Sequence, residues 1–430
     1  MGQSLHDAVV IYNLFPRLVA SLHLWVKHLD HIAGMGFNSI YLNPFQQTGN
    51  SRSLYAIKDY YRLNQEFLPE GSAQDDFSPI SQFIRSCEDY GIDVYTDLVI
   101  NHTANESVLL KQHPQWYKRD YNGNIVHPFA IDPANPSNVT VWGDLAELDF
   151  EHTSDLAGLL KYWDEVISFY QQLGFVGFRC DAAYKVPSMV FQTLISAAKK
   201  RNHRTLFFAE TLGCTLDQVQ HLNGCGFDYL FNSCKWWNFD SSWCLEQHEQ
   251  FKHIAPSIGF PESHDTLRTT AEAPGSLNWH KNRYILAAVF SKGLLMPMGY
   301  ETGAINKIDV VNSRPQDLQY GKWDVSEWIK AVNIFKLNNP LLCEEGKWRA
   351  LWSFDSSVLF LLRESEDQKL KMGFLVNKDW YNPVSIPLNQ LPSEIADFKY
   401  RINPFDDPFK RKKNDSELKL EPSEICLFVE

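Results

Sequence analysis

Four apolar runs of this 430-residue chain each end in an acidic or histidine-containing motif. The motifs are Asp97-Leu-Val-Ile-Asn101-His102, Phe178-Arg179-Cys180-Asp181, Phe208-Ala209-Glu210 and Glu262-Ser263-His264-Asp265. A single acidic residue after a strand is commonly a helix N-cap. Four motifs at the same place relative to their strands instead predict carboxylates that meet at one end of a parallel sheet.

Two of these carboxyl groups suit the cleavage of a glycosidic bond, in which one carboxylate attacks the anomeric carbon and one carboxylic acid protonates the leaving oxygen. Arg179 precedes Asp181 by two residues, so both side chains point to one side of a strand and the guanidinium favours ionised Asp181. Glu210 follows Leu-Phe-Phe-Ala, and desolvation there would raise its pKa towards neutrality. We therefore predict Asp181 as nucleophile and Glu210 as proton donor, with Asp265 binding hydroxyl groups of a distorted sugar ring.

Eight short runs rich in Val, Ile, Phe and Tyr alternate with segments that have helical spacing of apolar residues, which is typical of βαβ units. The predicted strands are 8–15, 39–45, 93–100, 175–182, 205–210, 227–232, 257–264 and 294–300. The predicted helices are 19–35, 80–90, 154–173, 188–201, 215–222, 278–291 and 325–337, with a less regular sixth connection near 245–254. The pattern predicts the α/β class and a (β/α)8 barrel.

Two regions depart from the barrel pattern. About seventy residues separate the third and fourth predicted strands, more than a crossover needs, so we predict an excursion at about 103–153. After residue 346 the pattern changes to short alternating strands such as 358–362, 372–376 and 425–428. We predict a catalytic barrel over 1–345 and a small all-β domain, a sandwich, over 346–430.

The composition favours a soluble protein with a neutral, polyhydroxylated ligand. Hydrophobic residues make up 44% of the chain and charged residues 21%, as in ordinary globular proteins. The net charge of −12 opposes binding to nucleic acid, because the phosphates would be repelled. Aromatic residues, at 14%, supply flat rings for sugar faces, although most of them belong to the core.

The N-terminal sequence and the cysteines bear on the cellular location of the protein. The start, MGQSLHDAVV, has no basic segment followed by an apolar one, and no stretch approaches the length of a membrane span. We therefore expect no membrane association and a cytoplasmic location. Eight cysteines without CxxC spacing favour reduced thiols, and a disulfide or metal within the cluster from Cys214 to Cys244 is the alternative.

Taken in order, the motifs resemble the α-amylase family of retaining glycosidases and transglycosidases, glycoside hydrolase family 13-like, over nearly the whole chain. Three further segments share the resemblance: Leu54-Tyr55-Ala-Ile-Lys-Asp59-Tyr60, Asp144-Leu-Ala-Glu147-Leu-Asp149 and Pro297-Met-Gly-Tyr-Glu301-Thr-Gly303. The resemblance implies that Asp181 is the nucleophile, Glu210 the general acid/base and Asp265 the transition-state stabiliser. It also implies that six residues surround the sugar at the cleavage point: Tyr55, Asp97, His102, Arg179, Lys185 and His264. Asp97 could instead orient its neighbours, and His102 could be structural.

The chain departs from the commonest family pattern after the nucleophile. Typical amylases have a Lys-His pair there that helps to bind glucan and calcium, whereas this chain has Tyr184-Lys185, and Ser263 replaces the usual Asn. Asn101 is a candidate calcium ligand, but one side-chain oxygen does not make a shell of six to eight. We expect no cofactor, and the sequence does not favour calcium.

The segment 113–125, together with Lys185 and Pro187, resembles the branch that includes maltosyltransferases acting on maltose phosphate. Two activities on an oligosaccharide or α-glucan therefore stay open, hydrolysis and transfer to a sugar acceptor, because loops decide whether water reaches the intermediate. A non-catalytic binding protein on the same barrel is a third hypothesis. The three carboxylates favour an enzyme, and an α-amylase-like hydrolase is the favoured hypothesis.

Overall fold

The computed structural model describes residues 8–132, 135–319, 321–405, 409–413 and 417–430 and contains a closed barrel of eight parallel strands. In chain order, strands β1 to β8 are Val10–Leu14, Ser39–Leu42, Asp93–Leu98, Gly177–Cys180, Leu206–Ala209, Tyr229–Phe231, Ser257–Gly259 and Gly293–Pro297. Each strand pairs with the next, and β8 pairs with β1. The predicted (β/α)8 barrel is confirmed, with strands shorter than predicted.

Helices follow the strands around the barrel. The main helices after β2 to β8 are Ser78–Asp89, Leu156–Leu173, Ser188–Arg201, Leu216–Gln220, Trp243–Phe251, Leu277–Phe290 and Ser326–Leu337. The single helix predicted at 19–35 is wrong, because that connection consists of Pro16–Val19, Leu22–Trp25, the 3-10 turn Val26–His28 and Leu29–Gly34. Ala20, with φ of 64°, adopts the left-handed conformation that interrupts a right-handed helix.

Alternate side chains of the barrel strands enter two different cores, since successive residues of a strand face opposite sides. Tyr95, Phe208 and Ile258 pack together inside the barrel, whereas Tyr12 and Ile40 pack outside it with the helices. Strands buried on both faces are expected of a parallel sheet. At Gly177 a Cβ atom would lie 2.6 Å from the Tyr95 ring, so glycine there leaves room for a large interior side chain.

Two insertions rise from the C-terminal ends of the strands. The antiparallel pair Gln46–Thr48 and Ile57–Leu63 follows β2. After β3, His102–Ala104 pairs with Leu145–Glu147, and between them lie the helix Val108–Gln112, the 3-10 turn Pro114–Trp116 and a second antiparallel pair, Phe129–Asp132 with Asn135–Val141. We call this second pair the ribbon. The excursion lies where the sequence predicts it.

The C-terminal region contains a six-stranded antiparallel sheet and a two-stranded sheet. In order across the larger sheet, the strands are Lys347–Leu351, Val358–Glu364, Lys371–Asn377, Ile425–Val429, Tyr400–Ile402 and Lys412–Lys413. The smaller sheet pairs Val384–Pro387 with Glu417–Leu420, and the short helix Ser393–Ala396 lies between them in sequence. One face of the larger sheet shares a core with the barrel helices, and the other face shares a core with the smaller sheet. The predicted division at residues 345 and 346 stays a prediction.

The N-terminal sequence on which the expectation of no signal peptide rests falls largely in residues 1–7, outside the described residues. Within the described part of the chain, none of the helices combines the length and apolar character needed to cross a lipid bilayer.

The cysteine cluster between Cys214 and Cys244 contains four free thiols. A disulfide within this stretch, the alternative left open by the sequence, is therefore wrong. Burial raises the pKa of both Cys214 and Cys234 to about 12, so these sulfurs stay protonated near neutral pH.

Candidate active site

A cavity of about 500 Å³ opens at the C-terminal end of the barrel, the end at which such barrels carry their functional side chains. Seven of the nine predicted site residues line it: Tyr55, His102, Asp181, Lys185, Glu210, His264 and Asp265. The other two, Asp97 and Arg179, are buried beside it, with 4% and 5% of their surface exposed. The fold thus brings together residues that are far apart in sequence.

The backbone places Asp181 directly above the end of β4. Its amide donates a hydrogen bond to the carbonyl of Leu98 over 3.2 Å, so the ladder between β3 and β4 continues one residue beyond the strand. Ala182 then adopts a left-handed conformation with φ of 41°, and the chain turns away from the barrel. Asp181 therefore stands on a rigid strand end rather than within a loop.

One buried cation is shared by three carboxylates. Nη1 of Arg179 lies 2.7 Å from Oδ1 of Asp97 and 3.4 Å from Oδ1 of Asp181, and its Nη2 lies 4.0 Å from Oδ2 of Asp265. Burial raises the pKa of Asp181, the charge of Arg179 opposes that rise, and Asp265 adds to it. Because the guanidinium is always protonated, Arg179 is the counterion that favours the ionised form of Asp181.

Glu210 has a different environment. Its Oε2 accepts a hydrogen bond from the amide of Ala182 (2.9 Å), and its Oε1 accepts one from the amide of Leu212 (2.6 Å). Burial raises the pKa of Glu210 to about 7; Arg179 opposes the rise, and the charge of Asp181 adds to it. A carboxyl group with a pKa near neutrality can give up a proton and take one back within a single reaction cycle.

A cluster of hydroxyl and imidazole groups surrounds the buried carboxylate of Asp97. The Tyr55 hydroxyl donates to Oδ2 of Asp97 over 2.8 Å and also lies 2.8 Å from Nε2 of His264. The Tyr41 hydroxyl donates to the same carboxylate oxygen, and the rings of Tyr55 and His264 stack with their centroids 5.4 Å apart. With Arg179 on its other oxygen, Asp97 is fully engaged with protein groups and holds its neighbours in place.

Asp265 is the accessible member of the carboxylate group. Its side chain is 55% exposed, and its Oδ2 lies 3.2 Å from Nε2 of His264. Burial lowers the pKa of His264, which favours the neutral ring. An exposed carboxylate beside a neutral imidazole can accept hydrogen bonds from sugar hydroxyl groups in the cavity.

His102 lines the cavity with one ring nitrogen bonded and the other open. Its Nε2 lies 3.2 Å from the carbonyl oxygen of Tyr55, whereas its buried Nδ1 has no hydrogen-bond partner among the described residues. Burial lowers the pKa of His102 to about 4, so the ring is neutral. A buried polar atom beside a cavity is a candidate for contact with a ligand.

Lys185 connects the turn that follows the nucleophile to the ribbon. Its amine donates to the carbonyl of Phe129 and lies 5.6 Å from the Phe129 ring centroid and 5.4 Å from that of Trp142. Trp142 and Ala130 of this insertion line the cavity. Lys185 therefore borders the predicted sugar site, and its amine holds the wall of the cavity in place.

Asn101 is the candidate calcium ligand that the sequence indicates. Oδ1 of Asn101 is buried without a hydrogen-bond partner among the described residues, which is the one feature in favour of an ion. No group of three or more His, Cys, Asp or Glu side chains in the described part of the chain could hold a metal. Calcium takes six to eight oxygen ligands, and a single amide oxygen falls short of that shell.

Sequence reasoning missed two residues of the site, Tyr41 and Asn43. Nδ2 of Asn43 lies 3.0 Å from the Tyr55 hydroxyl and 3.3 Å from Nδ1 of His264. Both missed residues belong to the predicted strand 39–45 and are separated by one residue, so they point to the same side. Two polar groups on the inward side of an otherwise apolar strand were the available signal.

Comparison with known proteins finds similarity to carbohydrate-active enzymes. Residues 4–125 match the family model of the glucanotransferase domain of glycogen debranching enzyme. An alpha-1,4-glucan:maltose-1-phosphate maltosyltransferase of Burkholderia pseudomallei is 23% identical over 393 residues, which cover 87% of this chain and 33% of the relative. The enzyme of that name from Methylacidiphilum infernorum is 26% identical over 446 residues, which cover 90% of this chain and 64% of the relative. The chain thus spans between about a third and two thirds of the length of these relatives.

Solved structures resemble the whole chain. An α-amylase from Lactobacillus plantarum has a TM-score of 0.75 at 18% identity, over 98% of this chain and 99% of that one. The maltogenic α-amylase AmyB from Thermotoga neapolitana has a TM-score of 0.73 at 20% identity, over 99% and 100%. At these identities the likeness concerns the fold. The barrel, its strand-end motifs and these similarities together support a likeness to the α-amylase family of the glycoside hydrolase family 13 type, with a further resemblance to the maltosyltransferases.

Proposed function

We propose that the chain is a retaining hydrolase of α-glucosides or α-glucans that works through a covalent glycosyl-enzyme. The observation that carries the proposal is the difference in environment between Asp181 and Glu210, two carboxyl groups that line one cavity. Asp181 lies 3.4 Å from the charge of Arg179, whereas Glu210 accepts hydrogen bonds from backbone amides and has a pKa of about 7. One group is suited to attack and the other to proton transfer.

In the first step, an oxygen of Asp181 forms a bond to the anomeric carbon while the bond to the leaving oxygen breaks, and Glu210 gives its proton to that oxygen. In the second step, Glu210 takes a proton from water, the water oxygen attacks the anomeric carbon, and Asp181 is released as a carboxylate. Asp265 stabilises the positive charge that develops on the ring. Tyr55, His102 and His264, which line the cavity, bind the sugar.

Transfer to a sugar acceptor is the second candidate function, and the comparisons favour it specifically. The family model describes a glucanotransferase domain, and the relatives that align with most of this chain are named maltosyltransferases. The chemistry differs only in the second step, in which a sugar hydroxyl replaces water. For both functions we propose an α-glucan or maltooligosaccharide as partner, no cofactor, no nucleic-acid or membrane partner and a cytoplasmic location.

The test of the two-carboxylate mechanism is Glu210→Gln. On natural glucans the variant should lose about 10²- to 10⁴-fold in turnover, the usual contribution of general acid–base catalysis. With an α-glycosyl fluoride, whose leaving group needs little protonation, it should still form the glycosyl-enzyme on Asp181 and then stall. Azide, which needs no deprotonation, should attack the β-linked glycosyl-enzyme in place of water and release an α-glycosyl azide, with retention of the anomeric configuration. Glu246→Gln, an exposed change on the helix Trp243–Phe251, is the matched control and should behave as the parent protein does.

Product analysis separates hydrolysis from transfer. The parent protein is incubated with maltooligosaccharides, with and without maltose 1-phosphate, and the products are identified by chromatography and mass spectrometry. Free reducing sugar as the main product supports the hydrolase, and longer oligosaccharides in preference to free sugar support the transferase. Full turnover of natural substrate by Glu210→Gln, with no azide product, would remove Glu210 from its role.

A further inference from the structure

Asn43 lies behind the residues that face the sugar. It follows β2 directly, its side chain is fully buried, and its Nδ2 lies 3.1 Å from the Tyr41 hydroxyl, 3.0 Å from the Tyr55 hydroxyl and 3.3 Å from Nδ1 of His264. An amide nitrogen carries two hydrogens and accepts none. Asn43 therefore presents only donors to this cluster.

The orientation of the Asn43 amide follows from a chain of hydrogen bonds that begins at a backbone carbonyl. The carbonyl of Tyr41, which can only accept, receives a hydrogen bond from Nδ2 of Asn13 over 3.1 Å. The same Nδ2 donates to Oδ1 of Asn43 over 2.7 Å. If the nitrogen and oxygen of the Asn43 amide were exchanged, its nitrogen would face Nδ2 of Asn13, and two donors would meet without an acceptor. The nitrogen of Asn43, with its two hydrogens, is thus the atom that faces the Tyr41 hydroxyl, the Tyr55 hydroxyl and Nδ1 of His264.

We propose that Asn43 is a positioning residue that sets the tautomer of His264. Nδ1 faces a nitrogen that can only donate, so a hydrogen on Nδ1 would find no acceptor there, and the single proton of the neutral ring resides on Nε2. Nε2 lies 2.8 Å from the Tyr55 hydroxyl and 3.2 Å from Oδ2 of Asp265. The Tyr55 hydroxyl gives its own hydrogen to Asp97, so its oxygen can accept from Nε2. The chain of hydrogen bonds runs in one direction, from Asn13 to Asp97.

The consequence is that Nε2 of His264 can only donate, either to the Tyr55 hydroxyl oxygen or to an acceptor in the cavity. In the other tautomer Nε2 would be an acceptor facing the Asp265 carboxylate, and two acceptors would repel each other. This consequence for substrate rests on the proposed function, but the tautomer itself does not. The two ideas can therefore be tested separately.

The direct test is nitrogen NMR of the full-length protein labelled with ¹⁵N-histidine. The chain has 14 histidines, and a His264→Gln sample identifies the signals of His264. We expect a neutral ring whose Nε2 has the shift of a protonated nitrogen and whose Nδ1 has that of an unprotonated one. A proton on Nδ1, or a doubly protonated ring at neutral pH, overturns the proposal whether or not the protein is active.

Variants at the two ends of β2 distinguish positioning from general stability. Asn43→Asp replaces the donor by a carboxylate, so the His264 proton should move to Nδ1. Asn43→Leu removes the donor and should lower kcat/KM by about 10- to 100-fold, the range for outer partners of functional histidines. Asn38→Leu is the matched control, because Asn38 precedes β2 and its Oδ1 accepts from the Val10 amide over 2.8 Å.

The control should lower the melting temperature without changing the His264 signals or the activity of the folded fraction. If Asn43→Asp does not fold, the spectrum of the parent protein and that of Asn43→Leu still decide. Unchanged His264 signals in both Asn43 variants contradict the proposal. If the parent protein shows no glycosidase or transferase activity but has the expected spectrum, the proposed function fails and the tautomer assignment remains.

Discussion

Buried charges occur at both ends of the barrel, but they are neutralised in different ways. At the C-terminal end, Arg179 is the nearest cation to three carboxylates, those of Asp97, Asp181 and Asp265. The charge of Asp181 raises the pKa of Asp97, and the charge of Asp265 raises the pKa of Asp181, because like charges disfavour ionisation. This end is electrostatically crowded.

At the N-terminal end, the buried charges of Lys336 and Glu345 meet backbone groups that match them. Lys336 is buried, and its amine donates to the carbonyls of Ala288, Ser291 and Leu342 over 2.8, 2.6 and 2.9 Å. Its three hydrogens thus meet three acceptors that the helix and loop ends leave open.

Glu345, at the same end, accepts hydrogen bonds from the amides of Ser257 and Lys292, each over 2.9 Å. The comparison of the two ends indicates two roles for charged side chains. A buried charge whose hydrogen bonds are made to backbone groups serves stability, whereas a group of neighbouring carboxylates is a site for chemistry. Changes at the C-terminal end should therefore affect activity, and changes at the N-terminal end should affect stability.

The largest effect should follow Asp181→Asn. Removing the nucleophile should lower kcat by about 10⁴-fold or more, since only binding and electrostatic contributions remain. The melting temperature should stay the same or rise, because one of the crowded carboxylates is neutralised. Steady-state kinetics and calorimetry measure the two quantities. A folded variant with near-parental kcat would exclude Asp181 as the nucleophile.

Lys336→Met tests the opposite end. The change leaves three buried carbonyls without their donor and should lower the free energy of unfolding by about 2–4 kcal/mol, while kcat of the folded protein stays unchanged. Lys330→Met, at a half-exposed side chain of the same helix, Ser326–Leu337, should alter stability by no more than about 0.5 kcal/mol. Urea unfolding measures both. Equal losses of unfolding free energy in the two variants would contradict the stabilising role assigned to the hydrogen bonds between Lys336 and the backbone carbonyls.

The pH profile should have a limb that belongs to Glu210. Proton donation needs its acid form, so kcat/KM should fall as pH rises above the pKa of about 7, by about tenfold per unit for one proton. Because this pKa is raised in the folded state, the protonated group also contributes stability below its unfolded pKa, and that contribution is lost as pH rises through about 7. In Glu210→Gln, the free energy of unfolding should not show this dependence on pH. A kcat/KM that stays flat to pH 9 would argue against Glu210 as the acid.

The strand-end carboxylates could be predicted from the sequence, because their positions depend on local patterns. A parallel barrel brings the C-terminal ends of all strands together, so an acidic residue after each predicted strand suffices to place Asp181 and Glu210 near each other. Arg179 beside Asp181 follows from the alternation of side chains along one strand. The barrel itself follows from eight repeats of that pattern.

The contacts that hold the site residues in place could not be predicted from local sequence patterns. Asn43 meets His264 across 221 positions of the chain, and only the closed barrel brings them into contact. The contact of Lys185 with Phe129 depends on how the ribbon folds back over the cavity, which no local pattern specifies. The break at Ala20 depends on a single positive φ angle at a residue that otherwise favours a helix.

The smallest effect should be that of a chelator, and it tests whether the crowded end of the barrel needs a metal to balance its carboxylates. Arg179 already lies within 4.0 Å of three of them, and Asn101 offers one buried oxygen where calcium takes six to eight ligands. We therefore expect EDTA to leave the melting temperature and kcat unchanged. A calcium ion present at 100 times its Kd would add about 2.7 kcal/mol to the stability, and removing it would lower the melting temperature by several degrees. Such a loss, reversed by calcium but not by magnesium, would mean that the excursion after β3 holds an ion and that Arg179 is not the only positive charge on which the site depends.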